Sequence, residues 1–150
     1  MCLVWTQKKT FVLSHPQKNM FQEAIGHCRW KTVLRNNVLN KINISSYENK
    51  TFEEIIIEIY SICVNVKGVG LLAVYDITAA LCRHYEINIS KVYIIGNGPK
   101  RAVKLLNIKT KTHKINNQIK IKYVDISDVD KNITNGDTLE SYLCNWQKTQ

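Results

Sequence analysis

No Cys-x-x-Cys pair occurs anywhere in the sequence. Its five cysteines (Cys2, Cys28, Cys63, Cys82 and Cys144) are odd in number and widely spread. That pattern argues against a disulfide framework and against a structural zinc, so no metal or other cofactor is expected. Cys63 and Cys82 fall in predicted helices, where free cysteine behaves as a small buried hydrophobe. No window reaches the roughly eighteen consecutive apolar residues of a membrane span. At the N-terminus, Met1-Cys2-Leu3-Val4-Trp5-Thr6-Gln7-Lys8-Lys9, the charges follow a very short apolar patch, the reverse of a secretory signal. The expected location is the cytoplasm. There is also no internal repeat, no low-complexity segment and no domain linker. Residues 1–150 are therefore read as one domain, long enough to bury a core without staples.

Acidic residues are missing where basic ones gather. Lys100, Arg101, Lys104, Lys109, Lys111, Lys114, Lys120 and Lys122 fall in one stretch that contains no Asp or Glu. The acids cluster at 48–58 and 125–140 instead. The net charge of +9 invites a polyanionic partner. Of the 21 basic residues 17 are lysine, in a chain also rich in Ile and Asn. Those three residues have A/T-rich codons, so the placement of the charge says more than its sum.

What is present is mostly helical periodicity. Residues 17–30 carry Met20, Phe21, Ala24, Ile25 and Cys28 on one face. Residues 30–44 read as an irregular or short helical piece, and 45–50 as a polar loop. Thr51-Phe52-Glu53-Glu54 is a capping box. It opens a helix over 51–66, with Phe52, Ile55, Ile56, Ile59, Ile62, Cys63 and Val66 at three- and four-residue steps. A second helix, 71–85, is apolar around most of its circumference and should be central to the core. So few residues separate the two that a tight helical hairpin is expected, with Gly68-Val69-Gly70 at its turn. Residues 87–95 alternate like a strand, and Gly96-Asn97-Gly98-Pro99 turns the chain into a helix with Pro in its first turn. Residues 109–122 read as a basic loop that becomes a strand at 118–123. A closing helix is expected at 138–146. The fold class is thus mainly α: one helical domain built on the 51–86 hairpin, with a minor β element and a Gly-turn plus basic segment at 96–122.

The turn Gly68-Val69-Gly70 and its flanks resemble the helix-hairpin-helix motif, and the layout resembles the helix-hairpin-helix DNA glycosylase superfamily. The resemblance covers about one sixth of the chain. It departs from the family pattern at Lys67, where Pro is usual, and at Leu71 and Leu72, where small or basic residues are usual. The stretch Gly96-Asn97-Gly98-Pro99-Lys100-Arg101-Ala102-Val103-Lys104-Leu105-Leu106 is similar to the second half of the same motif, with Asn97 in place of an apolar residue. Such a turn aims backbone amides and the positive end of a helix dipole outward, a phosphate site that reads no sequence. The alternative for the first turn is an αα-hairpin whose glycines merely let two helices pack. For the second it is a βα turn with a solvated basic helix.

Bifunctional members of that superfamily use a nucleophilic lysine two residues after the second hairpin glycine, where Lys100 stands. They also use an Asp at the end of the following helix, and Asp125 lies farther along than the family spacing. A third candidate is the polar strip Tyr75, Asp76, Arg83 and His84 on the core helix, since Asp76, Arg83 and His84 share roughly one face. Asp76 in so apolar a helix calls for a partner; it reads as a structural ion pair or, with Tyr75, as an acid/base site. His27 and His113 show no metal-ligand spacing. The order of His15-Pro16-Gln17, Lys67 to Gly70, Tyr75-Asp76, Lys91-Val92-Tyr93 and Leu139 to Cys144 is also similar to a set of small uncharacterised bacterial proteins.

These features give three expectations. The first is a nucleic-acid-binding protein, with DNA as the partner, that holds the phosphate backbone through the amides of Gly68, Val69, Gly70, Gly96 and Gly98 and the cations Lys100, Arg101, Lys104, Lys109 and Lys111. The second is a glycosylase-like base-excision enzyme using Lys100, Asp125, Asp76 or Tyr75. The third is a factor that docks its basic face on an acidic protein.

Overall fold

The computed structural model describes residues 20–89, 91–115 and 119–125. The expectations for the N-terminal arm, for the turn region after Asp125 and for the closing helix lie outside them. The chain divides into two compact units, Met1–Ile87 and Asn88–Gln150. The expected helical core, 51–86, falls in the first and the basic segment, 96–122, in the second. Helix predominates, with one small antiparallel sheet. Among the described residues no helix is long and apolar enough to cross a membrane.

The first unit holds α1 (Gln22–His27), α2 (Lys31–Asn37), two short 3-10 helices (Leu39–Lys41 and Ile44–Tyr47), α3 (Phe52–Cys63) and α4 (Leu71–His84). The capping box is formed. Thr51 Oγ1 accepts from the Glu54 amide at 3.2 Å, and Glu54 Oε1 accepts from the Thr51 amide at 2.9 Å. Phe52, Ile55, Ile56, Ile59, Tyr60 and Cys63 of α3 are buried. Every residue of α4 from Ala73 to Cys82 is buried, so this helix is the centre of the unit, packed against both α3 and α1. Ala73, Ala79 and Ala80 leave room for its neighbours to approach.

Two helix ends differ from expectation. α3 stops at Cys63 rather than at residue 66, because the Val66 amide bonds Cys63 O at 2.9 Å, tightening the last turn before the connection 64–70. α1 stops at His27 rather than at residue 30. Cys28 is extended there and buried, and the Lys31 ammonium donates to Gly26 O (3.4 Å) and Cys28 O (2.8 Å), satisfying carbonyls at the helix end.

In the second unit, β1 (Lys91–Tyr93), β2 (Lys111–Ile115) and β3 (Ile119–Asp125) form a three-stranded sheet in the order β1-β3-β2, antiparallel throughout, accompanied by the helix α5 (Asn97–Leu105). β1 and β2 therefore run parallel, with α5 as their crossover and β3 between them, a split βαβ unit. Val92 and Val124 pack with Ile94, Ala102 and Val103, so α5 covers the sheet face that carries those two valines. The loop expected before residue 118 is instead the strand β2. Lys114 lies directly opposite Lys120, a like-charge pairing that argues against a strand. The backbone ladder forms regardless because both ammonium groups are exposed to water.

α4 and α5 finish in the same way. Ile87 N donates to Cys82 O (2.8 Å) and Glu86 N to Arg83 O (3.3 Å) after α4; Ile108 N donates to Val103 O (2.9 Å) and Asn107 N to Lys104 O (3.3 Å) after α5. These are Schellman ends, which need a left-handed residue. Asn107 (φ 56°) is suited to it and Glu86 (φ 53°) is not. Gly68 is the reverse case: its φ of +93° favours glycine, and an added Cβ would stand 2.9 Å from Cγ of Trp30. Urea denaturation should therefore show Glu86→Gly stabilising by up to about 1 kcal/mol and Gly68→Ala destabilising by at least about 1–2 kcal/mol. Equal small effects at the two sites would contradict the backbone geometry.

Candidate nucleic-acid interface

Gly68 and Gly70 do different things at the connection between α3 and α4. Gly68 is held from above by the Trp30 indole, and its carbonyl accepts from Cys28 Sγ at 3.9 Å. Gly70 is the N-cap of α4 with φ −107° and ψ −168°, backbone that any residue adopts, and a Cβ there would meet nothing within 4 Å. A glycine N-cap offers no side-chain oxygen, and the first turn of α4 has no acidic residue. The amides of Leu71, Leu72 and Ala73 meet no acceptor among the described residues. They form a local patch of positive potential at the start of the most buried helix in the unit. Val69 contributes its own amide inward, to Val66 O at 3.2 Å.

The second turn is built similarly and carries charge. Gly96, with φ +93° and ψ 165°, is the N-cap of α5, again without a capping side chain or a first-turn acid. Asn97 and Gly98 amides meet no acceptor among the described residues, and Pro99 at the third position has no N–H to satisfy. Pro99, Ala102 and Val103 are buried, which turns Lys100, Arg101 and Lys104 outward into water.

The sheet register sorts the remaining cations. Side chains alternate between faces along a strand, so Thr112, Lys114, Lys120 and Lys122 share the face of Val92 and Val124, the one α5 covers at its β1 end. All three of those lysines are exposed, as is Lys109 in the connection that leads from α5 to β2. Lys100, Arg101, Lys104, Lys114, Lys120 and Lys122 therefore lie on one side of the sheet. The one described carboxylate of this unit, Asp125, belongs to the other face. Lys111 belongs there too, with its ammonium 3.8 Å from Asp125. That side also carries a ring cluster. Tyr93 and Tyr123 stack at 5.9 Å, the Tyr93 hydroxyl is 3.0 Å from His113 Nδ1, and Lys91 lies over Tyr123 at 5.5 Å.

The candidate catalytic residues do not converge. Lys100 projects from α5 on one side of the sheet and Asp125 lies on the other, so no lysine–aspartate pair of the glycosylase kind is assembled by these two. Tyr75 is buried in the first unit, edge-on to Phe52 at 6.1 Å. Asp76, 7% exposed, accepts from His27 Nδ1 at 2.9 Å. Arg83, on the same strip of α4, meets Glu23 at 3.4 Å. Glu23 and His27 are one turn apart on α1, so the polar strip of α4 is the seat on which α1 docks. Metal spacing does not reveal the role of His27; the four-residue step from Glu23 to His27, opposite in sign to Arg83 and Asp76, is the signal that points to it. Among the described residues no group of three His, Cys, Asp or Glu side chains is arranged to hold a metal ion.

Comparison of the chain with family models, curated proteins and solved structures finds no match. Any function assigned to it therefore rests on the geometry of these residues.

Cys28, Cys63 and Cys82 are buried. Burial, and secondarily the neighbouring Cys28 thiol, pushes the Cys63 thiol up to about 12. A thiol raised in the folded state contributes stability that is complete below its unfolded value near 9 and is lost as pH climbs toward 12. Alkylation at pH 8 and subsequent peptide mapping should leave Cys63 unlabelled in the native protein and labelled in urea. Stability measured against pH should fall from about pH 9 upward. Rapid native labelling of Cys63 would show that this end of α3 opens.

Proposed function

We propose that the protein binds the phosphate backbone of nucleic acid, DNA in the first instance, largely without reading sequence. On this reading the α3–α4 connection acts as a helix-hairpin-helix-like turn, and the start of α5 acts as a second anion seat. The observation that supports it most is the one-sided charge of the second unit. Six exposed cations lie on one side of a small sheet, beside a helix start with two unmet amides, and the only described carboxylate of that unit is on the opposite face. A cation array of this kind attracts a polyanion by counterion release. Gly70 adds support. Its conformation does not require glycine, yet a glycine there keeps the α4 amides uncovered where a capping side chain would fill them. The separation of Lys100 from Asp125 gives no support to the base-excision reading.

Fluorescence anisotropy with a short labelled duplex and its single strand, at increasing salt, tests this. If all six cations contact phosphates, log K against log[salt] should fall with a slope of about −5 on duplex. Lys100→Glu/Arg101→Glu/Lys104→Glu should abolish binding at moderate salt. No binding even at low salt would sink the reading and turn attention to an acidic protein as the partner.

Gly70→Asp separates the two seats. The new carboxylate caps the amides of α4 itself, so thermal stability should hold or rise by a few tenths of a kcal/mol. Duplex affinity should weaken if a phosphate sits there. A stable Gly70→Asp protein with undiminished binding would confine the interface to the second unit.

A further inference from the structure

A cleft of about 650 Å³ opens in the first unit between α2, with the 3-10 turn after it, and the last turn of α3. That volume is within the range of small-molecule sites, about 300–1,000 Å³. Its floor is apolar: Val33, Ile62 and Val66 line it, each half-buried. Trp30 forms a wall. The indole is 51% exposed, although it is braced on the bare backbone of Gly68. An aromatic ring fixed in place by backbone loses little further freedom when a second ring stacks on it.

The rim has a definite chemistry. Asn37 and Asn65 line it with amides that both donate and accept, and Lys41 and Lys67 line it too. Among the described residues no acidic side chain lines the cleft. Neither lysine meets a carboxylate among the described residues. A fixed aromatic wall, an apolar floor, amide edges and unneutralised ammonium groups together fit a planar heterocycle that carries an anion.

We propose that this cleft seats a nucleobase together with its phosphate. The base stacks on Trp30 over the apolar floor, its edge meets Asn37 and Asn65, and Lys41 or Lys67 takes the phosphate. The nucleotide is either free or an unpaired unit of a strand. A fully paired duplex cannot serve, because its bases are stacked on one another. The site thus goes beyond backbone binding by the second unit and does not depend on it.

Isothermal titration of the full chain with thymidine monophosphate and adenosine monophosphate, with a short oligothymidylate and with a blunt duplex tests the assignment. Saturable binding of a mononucleotide by about 1 mM points to the free nucleotide. Binding of the oligothymidylate but not of mononucleotides, surviving at high salt, points to the strand. In either case Trp30→Leu should weaken binding about tenfold. Because Trp30 also packs on the Gly68 turn, the surface pair Asn65→Ala/Lys67→Gln supplies a second test and should lower affinity several-fold without loss of stability. The Lys100→Glu/Arg101→Glu/Lys104→Glu protein should keep the cleft signal even where duplex binding is lost, so the two assignments fail separately. Flat titrations with every single-stranded and mononucleotide probe would overturn the proposal, as they would if the cleft seats a peptide. So would affinity unchanged in both the Trp30 and the surface-pair proteins.

Discussion

The contact of the Trp30 indole with the backbone of Gly68 is the constraint on which most of the first unit depends. A side chain at position 68 would have to occupy the space of the ring, and its φ of +93° would be strained as well. Cys28, two residues before Trp30, reaches the carbonyl of the same glycine, and Lys31 closes the end of α1 from the residue after Trp30. One glycine therefore clamps the corner between α1 and α2 onto the connection between α3 and α4. That clamp sets where α4 begins, and so where its uncovered amides lie. It also holds the wall of the cleft upright instead of letting a large apolar ring collapse onto Val33 and Val66.

Charge is used differently in the two units. In the first, carboxylates are committed to structure. Glu54 closes the capping box, Asp76 of α4 receives His27 of α1, Glu23 of α1 meets Arg83 of α4, and Glu58 bonds Lys50. The hydrogen bonds from Thr51 hold the Glu54 carboxyl below its usual range, consistent with a cap that operates as an anion. Exposed pairs of this type are worth at most about 1 kcal/mol each; the buried Asp76 is the one whose pairing matters, since an unpartnered carboxylate there would be costly. In the second unit the described carboxylates are fewer than the cations. Among the basic residues of 100–122, Lys111 alone is drawn to a described carboxylate, Asp125. Lys100, Arg101, Lys104, Lys114, Lys120 and Lys122 lie on the other side of the sheet and meet no carboxylate among the described residues.

Much of this is legible in the sequence, and the exceptions have physical causes. α3 is readable because the capping box and the apolar spacing agree, and α4 because a helix apolar around most of its circumference has to be central. The start of α5 is readable from Gly96 and Pro99. β2 is not, because three of its five residues are Lys or His and one lysine faces another across the ladder; the signal that makes it a strand is the partner, not the segment. The short ends of α1 and α3 are hidden because each is set by hydrogen bonds that begin in chain beyond the helix. Of the candidate site, the basic residues are recognisable as exposed, but their division between two faces depends on register, which periodicity alone does not supply. Lys111 groups with Lys100 by sequence proximity and lies on the opposite side. His27 and Trp30 look ordinary until their partners, Asp76 and Gly68, are placed beside them.

The glycines separate structural need from another demand. Gly68 and Gly96 both have φ near +93°, so the fold accounts for them. Gly70 and Gly98 have no such requirement. Gly70 caps α4 from an ordinary extended conformation, where Ser, Asp or Asn would stabilise the helix by a few tenths of a kcal/mol or more over glycine. Gly98 sits in the first turn of α5, where glycine costs up to about 1 kcal/mol relative to alanine. At position 70, where a Cβ would meet nothing within 4 Å, stability alone gives little reason to keep glycine. The two turns share one feature: Gly70 as the N-cap of α4 and Gly96 as the N-cap of α5 each leave the amides at a helix start without a capping side chain, in the second case beside Lys100 and Arg101. An anion bound there would recover the stabilisation that a capping side chain otherwise supplies. On the proposed reading, that exchange of intramolecular capping for ligand capping would account for a glycine at both caps.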